Sequence, residues 1–294
     1  MEHAAAHDVT GGGQGATLYV VATPVGNLGD ISRRALEVLG SVDAVAAEDT
    51  RVTGRLLAHY GIAKRLIAVH EHNERRAVAQ VLALLGSGRS LALTCDAGTP
   101  AISDPGAVIV AAARAAGFPV TPVPGPNAAV AALSVAGITA PHFLFYGFLP
   151  AKAATRRREL AALARLPFTL VFHEAPHRVE ESVADLCAAL GGNRRIVLAR
   201  ELTKLFESVH SCTLDEARSW LAADPHRRKG EFVLLVEGAG PEKKEDDALA
   251  RRALAFLLDE LPLKQAVNLA AKIAGGKKNE LYRMALAMQK KRDS

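Results

Sequence analysis

The chain has 294 residues, 49% of them apolar and 23% charged, with a net charge of +5. This length allows two domains with their own cores, and no apolar run reaches the roughly 20 residues a spanning helix needs, so no membrane is expected. Three scattered cysteines (Cys95, Cys187 and Cys212) form neither a disulfide framework nor a metal spacing, which points to a reducing, cytoplasmic setting.

Residues 1–16 are Gly/Ala/His-rich, without the basic-then-apolar order of a signal peptide, and are expected to be a disordered tail. Leu18–Ala22 reads as a central strand, stopped by Pro24, Gly26 and Gly29. Asp30 or Ser32 can cap the helix Arg33–Leu39. A strand running into such a loop is where an open α/β sheet keeps its ligand site. The G-x-x-G spacing matches neither the dinucleotide fingerprint nor the Walker loop, so no phosphate cradle is indicated.

The same pattern then repeats. Val42–Ala47 ends at Glu48-Asp49-Thr50-Arg51 before a helix over Gly54–Tyr60. Arg65–Val69 ends at His70-Glu71-His72-Asn73-Glu74 before the helix Arg76–Leu85. Ser90–Cys95 ends at Asp96-Ala97-Gly98-Thr99-Pro100 before a helix over Gly106–Ala116, and Val120–Val123 runs into Pro124-Gly125-Pro126-Asn127. Strands alternating with helices at this spacing predict a parallel sheet with right-handed crossovers over residues 17–127. Residues 128–240 read as a second α/β domain, with a helix at Ala128–Ala136 and strands at Phe143–Leu149, Thr169–His173, Ile196–Ala199 and Phe232–Val236. A helix over Thr155–Arg165 lies among them. Residues 241–247 are charged and aperiodic, hence a linker, and 248–294 read as a basic helical region with helices over 248–260, 263–274 and 279–289.

The polar strand ends carry the candidate chemistry. An adenosine ribose suits the carboxylate and backbone groups of the Asp96–Pro100 loop, and an Asx-turn with Asp104 capping the next helix reads equally well. Glu48–Arg51, taken alone, favours helix capping with a salt bridge. His70, His72 and Glu74 share a strand face, but no second group with zinc spacing joins them, so no metal is expected. Glu174-Ala175-Pro176-His177-Arg178 and Glu201-Leu202-Thr203-Lys204 each set a carboxylate near a cation, as a buried ion pair also would. A nucleophilic triad is not indicated, because no G-x-S-x-G elbow exists. Two basic runs suit a polyanion or a solvated face: four Lys/Arg over Lys152–Arg158, and eight against two acids from Lys264 to Ser294.

The set of loops is more specific than any one of them. Thr23-Pro-Val-Gly-Asn-Leu-Gly-Asp30, Glu48-Asp-Thr-Arg51, Asp96-Ala-Gly-Thr-Pro100 with Ile102-Ser103, and Pro124-Gly-Pro126 follow in order. Gly147-Phe-Leu-Pro150, Glu174-Ala-Pro-His-Arg178, Arg200-Glu-Leu-Thr-Lys204, Leu263-Lys-Gln-Ala266 and Lys278-Asn-Glu-Leu-Tyr282 complete the series. This series resembles the ribosomal RNA small subunit methyltransferase I family, within the tetrapyrrole-methylase superfamily. Cys95 and Asn127 stand where serine is usual in that pattern, and His173 where tyrosine is common.

The resemblance implies two α/β domains with S-adenosylmethionine in the cleft between them, and a homodimer. It also implies methylation of a cytidine ribose 2′-oxygen in 16S rRNA of the small ribosomal subunit. Pro24, Gly26, Asp96, Ala97, Gly98, Thr99, Pro100, Ile102 and Ser103 would then meet the cofactor, joined by Ala175 and Gly238 from the second domain. A cofactor without phosphate accords with a strand–loop–helix site that lacks a phosphate loop. Removing a 2′-hydroxyl proton needs a base. Glu48, Asp49, Glu174 and Glu201 are the unranked carboxylate candidates, with His72 and His177 as imidazoles. Arg51, Arg178, Arg200 and Lys204 are cast as RNA or ribose contacts. Rivals on the same core are a tetrapyrrole methylase acting on a porphyrinoid and a non-enzymatic rRNA-binding protein. A nicotinamide dehydrogenase is remote, because the fingerprint glycines are missing.

Overall fold

Apolar, β-branched segments and the helices between them build the first sheet as its spacing predicts. In the computed structural model, which describes residues 15–70, 73–102, 106–240, 243–274 and 278–292, β1 (Leu18–Val21), β2 (Ala44–Ala47), β3 (Arg65–Ala68), β4 (Leu91–Thr94) and β5 (Val120–Val123) are all parallel. Their order is β3-β2-β4-β1-β5. β2 and β4 are buried at every position, as strands covered on both faces must be. Helices α1 (Arg33–Ser41) and α2 (Thr50–His59) pack Val38, Leu39 and Leu57 on one face against Val21, Val45 and Ala92. Helices α3 (Glu74–Gly86) and α4 (Ala107–Ala115) pack Val81, Leu85 and Ile109 on the other, against Leu18, Leu91 and Leu93. The α2 helix starts at Thr50 rather than Gly54, because the Asp49 carboxylate caps it by accepting the Arg51 N–H.

The second sheet is mixed. After α5 (Ala128–Val135) come β6 (Phe143–Phe148), α6 (Ala153–Leu163), β7 (Thr169–Glu174), α7 (Val179–Leu190), β8 (Arg195–Arg200), β9 (Ser208–Thr213), α8 (Leu214–Ala223) and β10 (Phe232–Val236). The order is β6-β7-β10-β8-β9, with β6 parallel to β7 and every other pair antiparallel. The β9 strand escapes the apolar reading because it is a polar edge, Ser-Val-His-Ser-Cys-Thr, without one fully buried position. A capping box ends it: Thr213 Oγ1 accepts the Glu216 N–H, and Glu216 accepts the Thr213 N–H.

Both sheets belong to one unit, formed by the chain up to Ala164 together with Phe168–Gly238. The other unit joins Arg165–Pro167 to Ala239–Ser294. Its helices are α9 (Lys243–Glu260), α10 (Leu263–Ala274) and α11 (Lys278–Arg292), closed over Leu254, Val267, Ala270 and Leu281. The α9 helix begins inside the stretch read as a linker. Its first turn is Lys-Lys-Glu, residue types of high helix propensity that need no apolar periodicity. Residues 1–14, His72, Ser103 and Asp104 lie outside the described residues.

Candidate active site

The β1 and β4 strands are neighbours whose following helices lie on opposite faces, so their carboxyl-end loops part and leave a crevice. The parted loops are then tied together. Thr23 and Gly98 exchange two backbone hydrogen bonds (2.8 and 3.0 Å), while the Thr23 hydroxyl donates to the Cys95 carbonyl at 3.0 Å. The Thr99 hydroxyl donates to the Pro126 carbonyl at 3.1 Å, which brings in the loop after β5. At φ +83° Gly98 holds a left-handed turn that a side chain would strain. The ends of β2 and β4 are also clasped: Asp96 Oδ1 accepts the Asp49 N–H at 3.0 Å, and Glu48 Oε2 accepts the Asp96 N–H at 3.3 Å.

The second sheet supplies the facing wall. Strand alternation puts His173, Ala199 and Val233 on the same face as Val171, Val197 and Leu235. The α5 helix packs on the latter three through Ala129 and Ala132, joined by Ala136 just after it. Beyond α5 that face stays open, and a cavity of about 490 Å³ lies over it. Val25, Glu48, Asp96–Thr99 and Ile102 line it from the first sheet's loops. From the second come Phe145, Phe148, His173–His177, Ala199, Leu202 and Glu231 to Val233, with Asn127 and Ala128 between. This volume is that of a small-molecule site. Glu48, Asp96, Glu174 and Glu231 are its charged lining residues, and no Lys or Arg is among the described residues on its wall.

Backbone strain marks the same loops. Among the described residues, the non-glycine residues with positive φ are Ala101 (65°), Glu201 (51°) and Thr203 (67°). Ala101 precedes Ile102, and the other two flank Leu202, so the strained turns carry two cavity-lining side chains.

The four carboxylate candidates separate by their partners. The Asp49 carboxylate takes the Arg51 guanidinium at 2.6 Å as well as capping α2, and Arg51 holds its pKa well below the usual carboxylate range. Glu201 does not line the cavity. Burial opposes its ionisation, but the Glu231 N–H and the Lys204 ammonium, both at 2.9 Å, outweigh that and keep its carboxyl low. Glu174 lines the cavity with both oxygens engaged, one by the Ala175 N–H and one by the Ser182 hydroxyl, and Arg178 lies 3.4 Å away. Glu48 lines the cavity at the β2 end.

The cations expected to contact substrate are engaged within the protein. Arg51 forks onto Asp49. Arg178 donates to the Leu149 carbonyl and pairs with Glu174. The Arg200 guanidinium reaches the carbonyls of Phe206, His226 and Lys229, bracing the loops beside β8. Lys204 bridges Glu201 and Glu231, each at 2.9 Å. Arg156, from the first basic run, is buried and bound to Asp185 at 2.7 Å, leaving Arg157 and Arg158 on the surface.

Of the expected cofactor contacts, Asp96, Ala97, Gly98, Thr99, Ile102 and Ala175 are on the wall. Pro24 and Gly26 instead face a second cavity of about 360 Å³, while Pro100 and Gly238 line neither. Gly26 is required for close approach: a Cβ there would sit 2.4 Å from Lys204 Cγ. Gly26→Val is expected to cost about 1–3 kcal/mol through overpacking, read as a lower thermal midpoint. Phe145, Phe148, His173, Leu202 and Glu231 were not anticipated. The alternation of β7 and β8 carries a signal for His173, but Glu231 has none, because only the antiparallel direction of β10 brings its start to this end. Among the described residues no group of three His, Cys, Asp or Glu is gathered to hold a metal ion.

Comparison with known proteins agrees with this architecture. Residues 17–218 match the Tetrapyrrole (Corrin/Porphyrin) Methylases family, and residues 244–289 match the RsmI C-terminal HTH domain. Ribosomal RNA small subunit methyltransferase I of Pseudomonas aeruginosa is 54% identical over 277 residues, covering 94% of this chain and 98% of the relative. Its counterpart in Escherichia coli O157:H7 is 52% identical over 272 residues, 92% and 95% of the two chains. Among solved structures, the methyltransferase CobJ superposes with a TM-score of 0.58 at 18% identity, covering 77% of this chain and 95% of its own. Thermus thermophilus uroporphyrin-III C-methyltransferase, complexed with S-adenosyl homocysteine, gives 0.54 at 18% identity, with 75% and 97% covered. These two likenesses establish the fold.

Proposed function

Since the chain belongs to the ribosomal RNA small subunit methyltransferase I family, we propose that it methylates a cytidine ribose 2′-oxygen in 16S rRNA, using S-adenosylmethionine held in the 490 Å³ cavity. The charge of the wall is the observation that carries the cofactor's seat. The wall presents carboxylates and no Lys or Arg, so it offers no cationic grip to a phosphate-bearing cofactor and suits a cationic one. Glu174 and Glu231 are already paired behind it to Arg178 and Lys204. Phe145, Phe148, Leu202 and Val233 give the apolar surface an adenine needs. We assign the cofactor's ribose hydroxyls to Asp96 and the backbone at Ala97 and Thr99, since both Gly98 backbone groups are bound to Thr23.

When bound, the cofactor supplies an electrophilic methyl group on a sulfonium. The protein's part is to position the acceptor hydroxyl and take its proton. Asp49 and Glu201 lie off the cavity wall, Glu174 has both oxygens engaged with Arg178 beside it, and Glu48 stands on the wall next to Asp96, whose N–H it accepts. We assign proton removal to Glu48.

Purified small ribosomal subunits from a strain lacking the enzyme, offered with labelled S-adenosylmethionine, test the reading. One cytidine gaining a 2′-O-methyl mark is the expected result. Transfer to a porphyrinoid and not to the subunit would overturn it.

The helical unit is the reading's rRNA anchor. Lys264, Lys272, Lys278 and Arg283 on α10 and α11 suit backbone phosphates. Replacing Lys272 and Lys278 by Gln is expected to reduce the slope of log affinity against log salt by about two, with cofactor binding unchanged. The proposal also places the enzyme in the cytoplasm, in keeping with its three free cysteines, and as a homodimer, to be checked by sedimentation. No described helix is long and apolar enough to cross a membrane.

A further inference from the structure

The loop after β1 is a partition. Val25 faces the 490 Å³ cavity, whereas its neighbours Pro24 and Gly26 face the second, 360 Å³ cavity. Asp96 lines both, so the two spaces adjoin at that residue. The second cavity differs in kind from the first. Pro24, Leu28, Val52 and Leu56 give it apolar sides, and it carries a cation, Arg55, which the first lacks. Arg55 is exposed and spends only Nε, which donates to the Arg51 carbonyl at 3.3 Å. Its two terminal NH2 groups have no protein partner among the described residues.

We propose that this second cavity seats the acceptor nucleotide of the RNA, its base against Leu28, Val52 and Leu56, its phosphate on Arg55, and its ribose toward Asp96. This rests on the methyltransferase reading above. Methyl transfer requires two ligands side by side with the reacting atoms in line. A cation-free cavity sharing one wall residue with a cation-bearing one meets that need for a sulfonium and a phosphodiester. The bond formed is from the 2′-oxygen to the methyl carbon, and the bond broken is from that carbon to sulfur. The hydroxyl proton passes to the protein, and S-adenosylhomocysteine leaves.

Two variants test the assignment against wild-type enzyme, with small ribosomal subunits as substrate and S-adenosylhomocysteine as the calorimetric probe. Leu56→Trp fills the cavity from α2, and it should cut methyl transfer at least about 100-fold while the probe's affinity stays within about threefold. Arg55→Gln is at an exposed helix position and tests the same cavity without threatening the fold. It should raise KM for the subunit about tenfold with kcat little changed. Unaltered kinetics in both variants would overturn the proposal. So would loss of probe binding in a folded Leu56→Trp protein, which would assign the second cavity to the cofactor. Absence of transfer by the wild type would instead sink the methyltransferase reading itself, so the two failures are separable.

Discussion

Glu48→Gln is expected to lower turnover on small ribosomal subunits by about 10²–10⁴-fold, the usual worth of a positioned general base. S-adenosylhomocysteine binding, measured by calorimetry, should change by less than about threefold. The amide oxygen of Gln can still accept the Asp96 N–H, so the clasp between the β2 and β4 ends survives while the basic carboxylate is lost. The same substitution at Asp49 should act differently. Its carboxylate caps α2 and holds Arg51, so Asp49→Asn keeps a capping oxygen and should leave most of the turnover. Equal turnover in Glu48→Gln and the wild type would remove Glu48 from the chemistry.

Asp185→Ala is expected to be the most destabilising single change, by about 3–5 kcal/mol, because it strands a charge in the interior. The Arg156 side chain is only 2% exposed, with Asp185 at 2.7 Å as its close partner and Glu181 at 3.4 Å. Its remaining donors go to the carbonyls of Pro150 and Ala151, which hold the turn after β6 beside the cavity residue Phe148. A drop of the thermal midpoint on the order of 10 °C would express this. Arg156→Met should cost less, since Asp185 keeps Arg157 at 2.7 Å. The pH dependence has a defined sign. Burial raises the Asp185 pKa, but the Arg157 and Arg156 hydrogen bonds outweigh it and lower the folded value below 3.8. The stabilisation is therefore complete above about pH 4 and is lost as pH falls toward the folded value. The difference between wild type and Asp185→Ala should be flat near neutrality and shrink below pH 4.

The elements that were legible in the sequence share a physical reason. Ala44–Ala47 and residues 91–93 are continuous apolar runs because they are buried on both faces, and polar strand ends follow at once. Edge strand β9 lacks that imprint, since solvent on its open side permits Ser, His and Thr. The start of α9 carries no apolar periodicity to mark it, because helix propensity suffices there without an apolar stripe. Basic residues were the least legible. Arg156 and Arg157 are adjacent in one run, yet one is interior and the other on the surface.

By itself the sequence determined the parallel first sheet and the family, because local periodicity and ordered motifs carry that information. Only the tertiary structure decided which carboxylates face the cavity and which are consumed by caps and ion pairs. It also decided that a β10 strand running against its neighbours brings Glu231 to the site, and that Pro24 and Gly26 look away from Val25 into a second space. Those outcomes depend on strand direction and on which side chain reaches a given partner first, and residue spacing along the chain encodes neither.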